Sequence, residues 1–469
     1  MRKMFAARLA LLSPGAWVIL ALAASSSVAV ALWRVPQRTG TDFWIFARQH
    51  LPIYQPLADQ WNREHPGQPL HVSVIQFYAL ERRLLSGFLS GTPVADLMEV
   101  ERMVVGRTFT GPPDDVGFTD LTDRLRQDGL LEKLNGPSLS PWTSHGRIYG
   151  IPHDIHPVGL AYRADIVEAA GIDMTQVETW DDFFRLLSPL MKDLDGDGRP
   201  DRYLLNFWPS PANRNLIETL VLQGGGRLFD DDGRPVLNSE ANAHIVATLV
   251  TWLAGPRRMC IDAPEQTAGG DQMRANGTVL ASLMPDWLAG AWENFNPALA
   301  GKVKIIPLPA WTRGGRRTSV LGGTMLGIPK TTADFEQSWR MAKYLYLSPA
   351  SAEALYRNVR ILTPVTSLWS LPVFHEPDPY FSGQKIGELF IRLAPDVPHR
   401  SSSAFTVPAI ERLTGVLLSL RDYALQENRF TVEELRPEAH RLLDEAQREI
   451  AGEIARNVFV SQPAPAPAP

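Results

Sequence analysis

Asp193, Asp195, Asp197 and Asp201 stand at positions 1, 3, 5 and 9 of a short loop, with Gly198 at position 6. That spacing resembles an EF-hand-type calcium loop, in which hard carboxylate oxygens converge on one cation. Carboxylates this close repel one another unless a cation or good solvation offsets the charge. Position 12 is Leu204, where a bidentate Glu is expected, so a remaining ligand must come from elsewhere or from water. Asp/Gly-rich turns without metal have the same composition, and both readings stay open. Calcium here would be structural, because no nucleophile or base adjoins the loop; no other cofactor is required.

His153 and His156, three apart, form a second constellation with Asp154. A His pair invites a metal reading, but Pro152 and Pro157 bracket it, so helical ligand spacing is not expected. No third ligand sits nearby in the sequence. A contact at a loop or hinge is the better expectation. Signatures of common enzymes are missing: there is no G-x-S-x-G, no H-E-x-x-H and no G-x-x-x-x-G-K-[ST]. A glycosidase is not excluded by this, since its two carboxylates carry no regular spacing.

The elements that must position these groups alternate. Thr41–Ala47 reads as a buried strand, residues 53–65 as a helix stopped by Pro66 and Gly67, and Leu70–Phe77 as a strand. A helix over 80–89 and a strand over 94–100 follow. Strand, helix, strand, helix, strand at this spacing predicts a parallel sheet in an α/β lobe. Ligands of such sheets sit at the carboxyl ends of the strands. Glu101 and Arg102 directly follow the strand 94–100, and Trp287 follows a strand-like run over 277–284 with Pro285 and Asp286 between. Trp208 ends the apolar stretch 203–207.

The chain has 469 residues, ample for more than one domain, and a formal net charge of −5. The slight acidity argues against a nucleic-acid partner. Cys260 is the single cysteine, so no internal disulfide is available. At the amino terminus Arg2, Lys3 and Arg8 precede an uncharged run from Leu9 to Trp33, and Arg34 and Arg38 follow. This predicts export, with the basic start on the cytoplasmic side. A cleaved signal and a retained membrane anchor compete; apolarity resuming through residues 28–33 favours the anchor. No cysteine near the segment allows a lipid anchor. The tail 457–469 is rich in Pro and Ala and has no expected core role.

A family resemblance covers most of the exported chain, from about Phe43 to Ile450. The run Gly146 to Pro152, then Gly159 to Tyr162, Asp165 to Gly171 and Thr179 to Phe183, resembles the core signature of family-1 extracellular solute-binding proteins. These are the maltose-binding-protein-like receptors of ABC importers. Arg163 replaces the usual Asn and Asp182 the usual Glu. Ser90 to Asp96, Asn276 to Trp287, Gly322 to Lys330 and Asn358 to Pro364 fall in matching order. The resemblance implies a type II periplasmic-binding-protein fold, with two α/β lobes hinged around a cleft, and the amino-terminal run read above would precede it as a transmembrane or signal helix. Residues 1–40 would be the signal or anchor segment. Lobe one would hold 41–154 with 318–365, and lobe two 155–317 with 366–456.

It further implies capture of a carbohydrate by lobe closure and delivery to an ABC permease, by a monomer rather than an enzyme. A membrane-tethered sugar sensor, or a glycoside-acting enzyme, is the alternative. Sugars offer apolar ring faces and a rim of hydroxyls, so they call for aromatic rings, carboxylates and amides in an enclosed site. The resemblance points to Phe46, Trp208 and Trp287 as rings, with Phe207 the one-residue rival of Trp208. It points to Glu101, Arg102, Asp154, His156, Asp286 and Arg360 as polar contacts, and to Thr324 as a wall beside Gly323.

Overall fold

The computed structural model describes residues 13–32, 39–193, 196, 200–210, 213–230, 232–256 and 258–457. The basic start, residues 33–38, Asp195, Asp197 and the Pro/Ala tail beyond Asn457 lie outside them.

Residues Pro14–Leu32 form one helix. Among the described residues, however, no helix is long and apolar enough to cross a membrane, so the expected anchor finds no support in the fold.

Strand β1 (Thr41–Ile45) buries Phe43 and Ile45 completely and leaves Asp42 and Trp44 half-buried. The helix Leu51–Glu64 follows, with Pro52 in its first turn, where no amide partner is lost. It buries Ile53, Tyr54, Leu57, Ala58 and Trp61, the three-to-four spacing that makes one apolar face. Strands β2 (Leu70–Val74) and β3 (Leu97–Glu101) both pair parallel to β1, as the alternating pattern predicts. A small hairpin, β4 (Thr143–Ser144) with β5 (Arg147–Ile148), precedes β6 (Ile151–Pro152).

The chain then crosses into a second sheet. Its strands are β7 (Val158–Arg163), β8 (Tyr203–Asn206), β9 (Cys260–Ile261), β10 (Val279–Pro285) and β11 (Val303–Pro307). It returns to the first sheet as β12 (Thr324–Gly327). The two five-stranded sheets run β2-β1-β3-β12-β6 and β11-β7-β10-β8-β9. Neither sheet is wholly parallel, unlike the sequence expectation. β12 pairs antiparallel to β3, with Thr324 opposite Glu101. The reason is the crossing itself: β12 starts at the interlobe end, where β3 finishes, and must run away from it.

Each lobe has its own apolar interior. In the first, Phe43, Ile53, Leu97, Leu326 and Trp339 pack on one side of the sheet and Leu84, Phe118 and Met325 on the other. The second is larger and includes the long carboxyl-terminal helices Thr406–Gln426 and Val432–Arg456. The last of these starts on a reciprocal cap between Thr431 and Glu434. Phe374, Phe381 and Phe390 form a further cluster with Ala161, Met284 and Ile305 of the second sheet.

Candidate functional site

Three stretches meet at the lobe junction: residues 153–157 and 318–323, which carry the chain between the two sheets, and residues 360–363, which run beside them. Side chains expected to touch ligand tie these stretches together. Asp154 Oδ2 lies 3.0 Å from His156 Nε2 and 3.2 Å from His153 Nδ1, and it accepts the Thr324 amide at 3.1 Å. His156 Nδ1 lies 2.6 Å from Asp286 Oδ1. Asp286 Oδ2 accepts the Leu362 amide at 2.8 Å, and Oδ1 accepts the Trp287 amide at 2.7 Å. The indole N–H of Trp287 donates to the Leu321 carbonyl at 2.8 Å. Asp154, His156, Asp286, Trp287 and Thr324 therefore meet in one network that reaches all three stretches.

The network is charged and dry. Asp154, His156 and Asp286 are each at most 4% exposed. Burial pushes the His156 imidazole down, but Asp154 and Asp286 outweigh it and raise it to about 10. Burial likewise works against the Asp154 carboxylate, and His156 and His153 hold it well below the usual range. His156 itself sits at φ 54°, a left-handed conformation uncommon for a residue with a Cβ. Gly322 and Gly323, at φ 106° and 128°, let neighbouring groups close on the backbone. A Cβ on Gly322 would lie 2.8 Å from His156 Cδ2 and 2.9 Å from Trp287 Nε1, and one on Gly323 would lie 2.4 Å from Arg400 Nη2.

Beside this hinge the lobes touch through charges. Glu101, at the end of β3, turns its carboxylate back to accept the Met103 amide at 2.7 Å and so caps the short helix Arg102–Gly106. Burial raises the Glu101 carboxyl, with Arg102 opposing. Arg102 reaches across to the carboxylate of Glu218, on the second-lobe helix Arg214–Gln223, and to the Ser401 carbonyl at 3.4 Å. Both side chains of this ion pair are buried. Arg400 donates to the Gly322 carbonyl, and its amide bonds Ser140 Oγ at 3.2 Å. Burial, with Arg102 adding to it, lowers the Arg400 guanidinium to about 9. Next to these groups is a cavity of about 380 Å³, within the range of small-molecule sites. Ser140 and Thr143 line it from one side, and Glu218, Phe229, Arg400 and Ser401 from the other.

The remaining candidates lie apart from the hinge network. Phe46 packs edge-on to Phe77 with centroids 5.6 Å apart. Trp208 lies under two cations, Arg421 at 4.9 Å and Arg258 at 5.8 Å. Its rival Phe207 is wholly buried. Arg360 is committed to Glu293 at 2.8 Å and Asp378 at 2.9 Å, and none of its bonds reaches another candidate residue. Asp193 accepts the Gly196 amide at 2.6 Å, and the Asp201 amide donates to the Lys192 carbonyl at 2.9 Å. With Asp195 and Asp197 outside the described residues, the loop has no describable cation geometry. Glu218 and Arg400 were missed by sequence reasoning; Glu218 stands mid-helix and Arg400 in a loop, with no local signal at either place.

Two lobes, each with its own sheet, joined where the chain passes between the sheets around a polar junction define the class: a hinged binding protein. Residues 48–352 match the family model described as bacterial extracellular solute-binding protein, and the chain belongs to that family. It is similar to an arabinooligosaccharide-binding protein of Halalkalibacterium halodurans, 25% identical over 375 residues, spanning 78% of this chain and 80% of that protein. A lactose-binding protein of Rhizobium radiobacter is 24% identical over 369 residues, spanning 76% and 82%. Among solved structures, the sugar-binding protein MalE from Xanthomonas citri shares the fold with a TM-score of 0.70 at 16% identity, covering 89% of this chain and 100% of that one. A binding protein of B. animalis subsp. lactis in complex with beta-1,6-galactobiose has a TM-score of 0.62 at 17% identity, covering 90% and 99%.

Proposed function

We propose that this chain captures a carbohydrate between its lobes on the outer side of the cytoplasmic membrane and hands it to the permease of an ABC importer. The observation that carries the reading is the cavity at the lobe junction, where Ser140 and Thr143 of one side face Glu218, Arg400 and Ser401 of the other. Hydroxyls, a carboxylate and a guanidinium are donors and acceptors suited to a sugar's rim, and Phe229 offers a ring face. The relatives named above bind arabinooligosaccharides and lactose, which supports an oligosaccharide as the class of ligand.

On this reading the protein binds without transforming, acts as a monomer and needs no cofactor. Export rests on the basic start and uncharged run at the amino terminus, acting as a cleaved signal or as an anchor. N-terminal sequencing of the mature protein separates those two outcomes. The function is tested by a thermal-shift screen against mono- and oligosaccharides, with product analysis of the same mixtures. A saturable stabilisation without turnover supports the reading. Turnover above background favours the glycoside-acting alternative, and no stabilisation by any sugar removes the carbohydrate assignment.

A further inference from the structure

His153 and His156 look in the sequence like a metal pair lacking a third ligand. In the fold both touch Asp154 Oδ2, and their other contacts differ. His156 is taken by two carboxylates, whereas His153 stands beside His50 and Glu99. The ligand atoms of His50, Glu99 and His153 lie within 4.8 Å of one another. Three elements bring them together: His50 precedes the helix Leu51–Glu64, Glu99 is the middle residue of β3, and His153 follows β6. All three are buried, at 5%, 0% and 1% exposure.

The hydrogen bonds leave a gap at this point. His50 Nδ1 lies 2.9 Å from Glu99 Oε2, and the rings of His50 and His153 are 5.0 Å apart. His153 Nδ1 faces Asp154 Oδ2 at 3.2 Å. A carboxylate only accepts, so Nδ1 carries the proton and Nε2 presents a lone pair. His153 Nε2 is buried with no hydrogen-bond partner, and so is Glu99 Oε1, although the Tyr54 hydroxyl and the Ala47 amide also approach this carboxylate. Buried polar atoms without partners are uncommon and destabilising. A shared cation satisfies both at once. The second nitrogen of His153 is already tied to a carboxylate, the arrangement that orients metal-binding imidazoles. Tyr346 donates to Glu99 Oε2 at 3.3 Å and fixes that carboxylate as well.

We propose that His50, Glu99 and His153 form a buried site for Zn²⁺, distinct from the carbohydrate cavity. Two imidazoles and one carboxylate are an established zinc ligand set. Ligands about 2.0–2.1 Å from zinc stand about 3.4 Å apart in a tetrahedron, so the side chains draw in by about 1 Å on binding. The bound ion ties the first interlobe stretch to β3 and to the start of the helix Leu51–Glu64, and so fixes one side of the hinge.

The test uses the full exported chain, stripped with chelator and titrated with Co²⁺ as a visible probe. One equivalent should bind with tetrahedral ligand-field absorption and be displaced by Zn²⁺. His153→Gln and Glu99→Gln should each weaken binding by about 10-fold or more, whereas His71→Gln, outside the cluster, should not. If those variants fail to fold, X-ray absorption on zinc-loaded wild type reads the ligand set directly, and two imidazole nitrogens are expected. No stoichiometric metal, variants that keep wild-type affinity, or a bound metal without imidazole ligands each overturns the proposal.

Discussion

Arg102 of the first lobe and Glu218 of the second form an ion pair across the junction, with side chains only 1% and 6% exposed. Neither charge has water to fall back on, and the Ser401 carbonyl is the other acceptor of the guanidinium. The pair therefore acts as a latch between the lobes, and its two halves are unequal to the whole.

Truncating one half leaves a buried charge without a partner. Arg102→Met or Glu218→Leu should each destabilise the protein by about 3–5 kcal/mol. The double variant Arg102→Met with Glu218→Leu should recover most of that loss, because it removes both charges and keeps the volume. Denaturant unfolding in a double-mutant cycle measures the difference; additive losses would mean the pair is not coupled.

The hinge network predicts a pH signature. His156 is raised from 6.5 to about 10, so its stabilising contribution is complete below pH 6.5 and fades as pH rises toward 10. Asp154 is lowered, so its contribution is present above the unfolded carboxylate range and fades as acid protonates it. Stability from the network is then greatest between about pH 4 and pH 6.5. The alkaline limb should fall by no more than about 1.4 kcal/mol per pH unit, the limit for one proton. It is best read below about pH 9, where Arg400, a lowered base, begins to contribute the opposite slope. Urea unfolding from pH 6.5 to 9 checks this: His156→Asn, which tolerates the left-handed backbone, should flatten the limb.

Much of the hinge was legible in the sequence. The family resemblance points to Asp154, His156, Asp286 and Thr324, and the sequence places Asp154 and His156 between two prolines, Asp286 just after a strand-like run and Thr324 just after Gly322 and Gly323. What the pattern did not show is that these groups bond chiefly to one another. Glu218 and Arg400 were invisible, since Glu218 meets Arg102 across 116 residues of chain and only lobe packing brings them together. The same holds for His50 and Glu99, separated by 49 residues and joined through the sheet. The antiparallel entry of β12 was also hidden, because strand direction depends on where the chain re-enters a lobe and not on local periodicity.

Trp287 illustrates how a strand-end ring can take on another task. It packs against the interiors of both lobes and the third cluster as well, and its indole N–H is engaged by Leu321. Trp287→Ala should destabilise the fold by about 3 kcal/mol or more, beyond any change in ligand affinity. Trp287→Phe keeps most of the packing and should lose about 1 kcal/mol for the hydrogen bond. Thermal unfolding of the ligand-free variants distinguishes this from a purely ligand-stacking ring, which would leave both melting temperatures unchanged.

Gly106 marks one place where the lobes approach closely in backbone terms. A Cβ there would lie 2.6 Å from the Ser403 carbonyl oxygen and 3.0 Å from its carbon. Gly106→Ala should wedge the lobes apart, lowering stability by about 1–3 kcal/mol and weakening any ligand that needs both lobes. Small-angle scattering should show a larger radius of gyration for the variant. An unchanged radius and melting temperature would mean that the contact yields at no cost.

The cavity makes the sharpest prediction about binding. A sugar present at 100 times its Kd should stabilise the wild type by about 2.7 kcal/mol, a readily measured shift. Thr143 faces the cavity from the first-lobe side and is only half-buried, so a larger side chain there fills space without displacing core. Thr143→Trp should therefore abolish the sugar-dependent shift while leaving the ligand-free melting temperature within a few degrees of wild type. Ser401→Ala removes one hydroxyl from the opposite wall and should weaken affinity by about 0.5–1.5 kcal/mol, the net worth of one hydrogen bond. If Thr143→Trp responds to sugar as fully as wild type does, the ligand seats elsewhere along the junction. Trp208 and Phe46, each ringed by polar or aromatic neighbours but absent from the cavity wall, would then be the next rings to truncate.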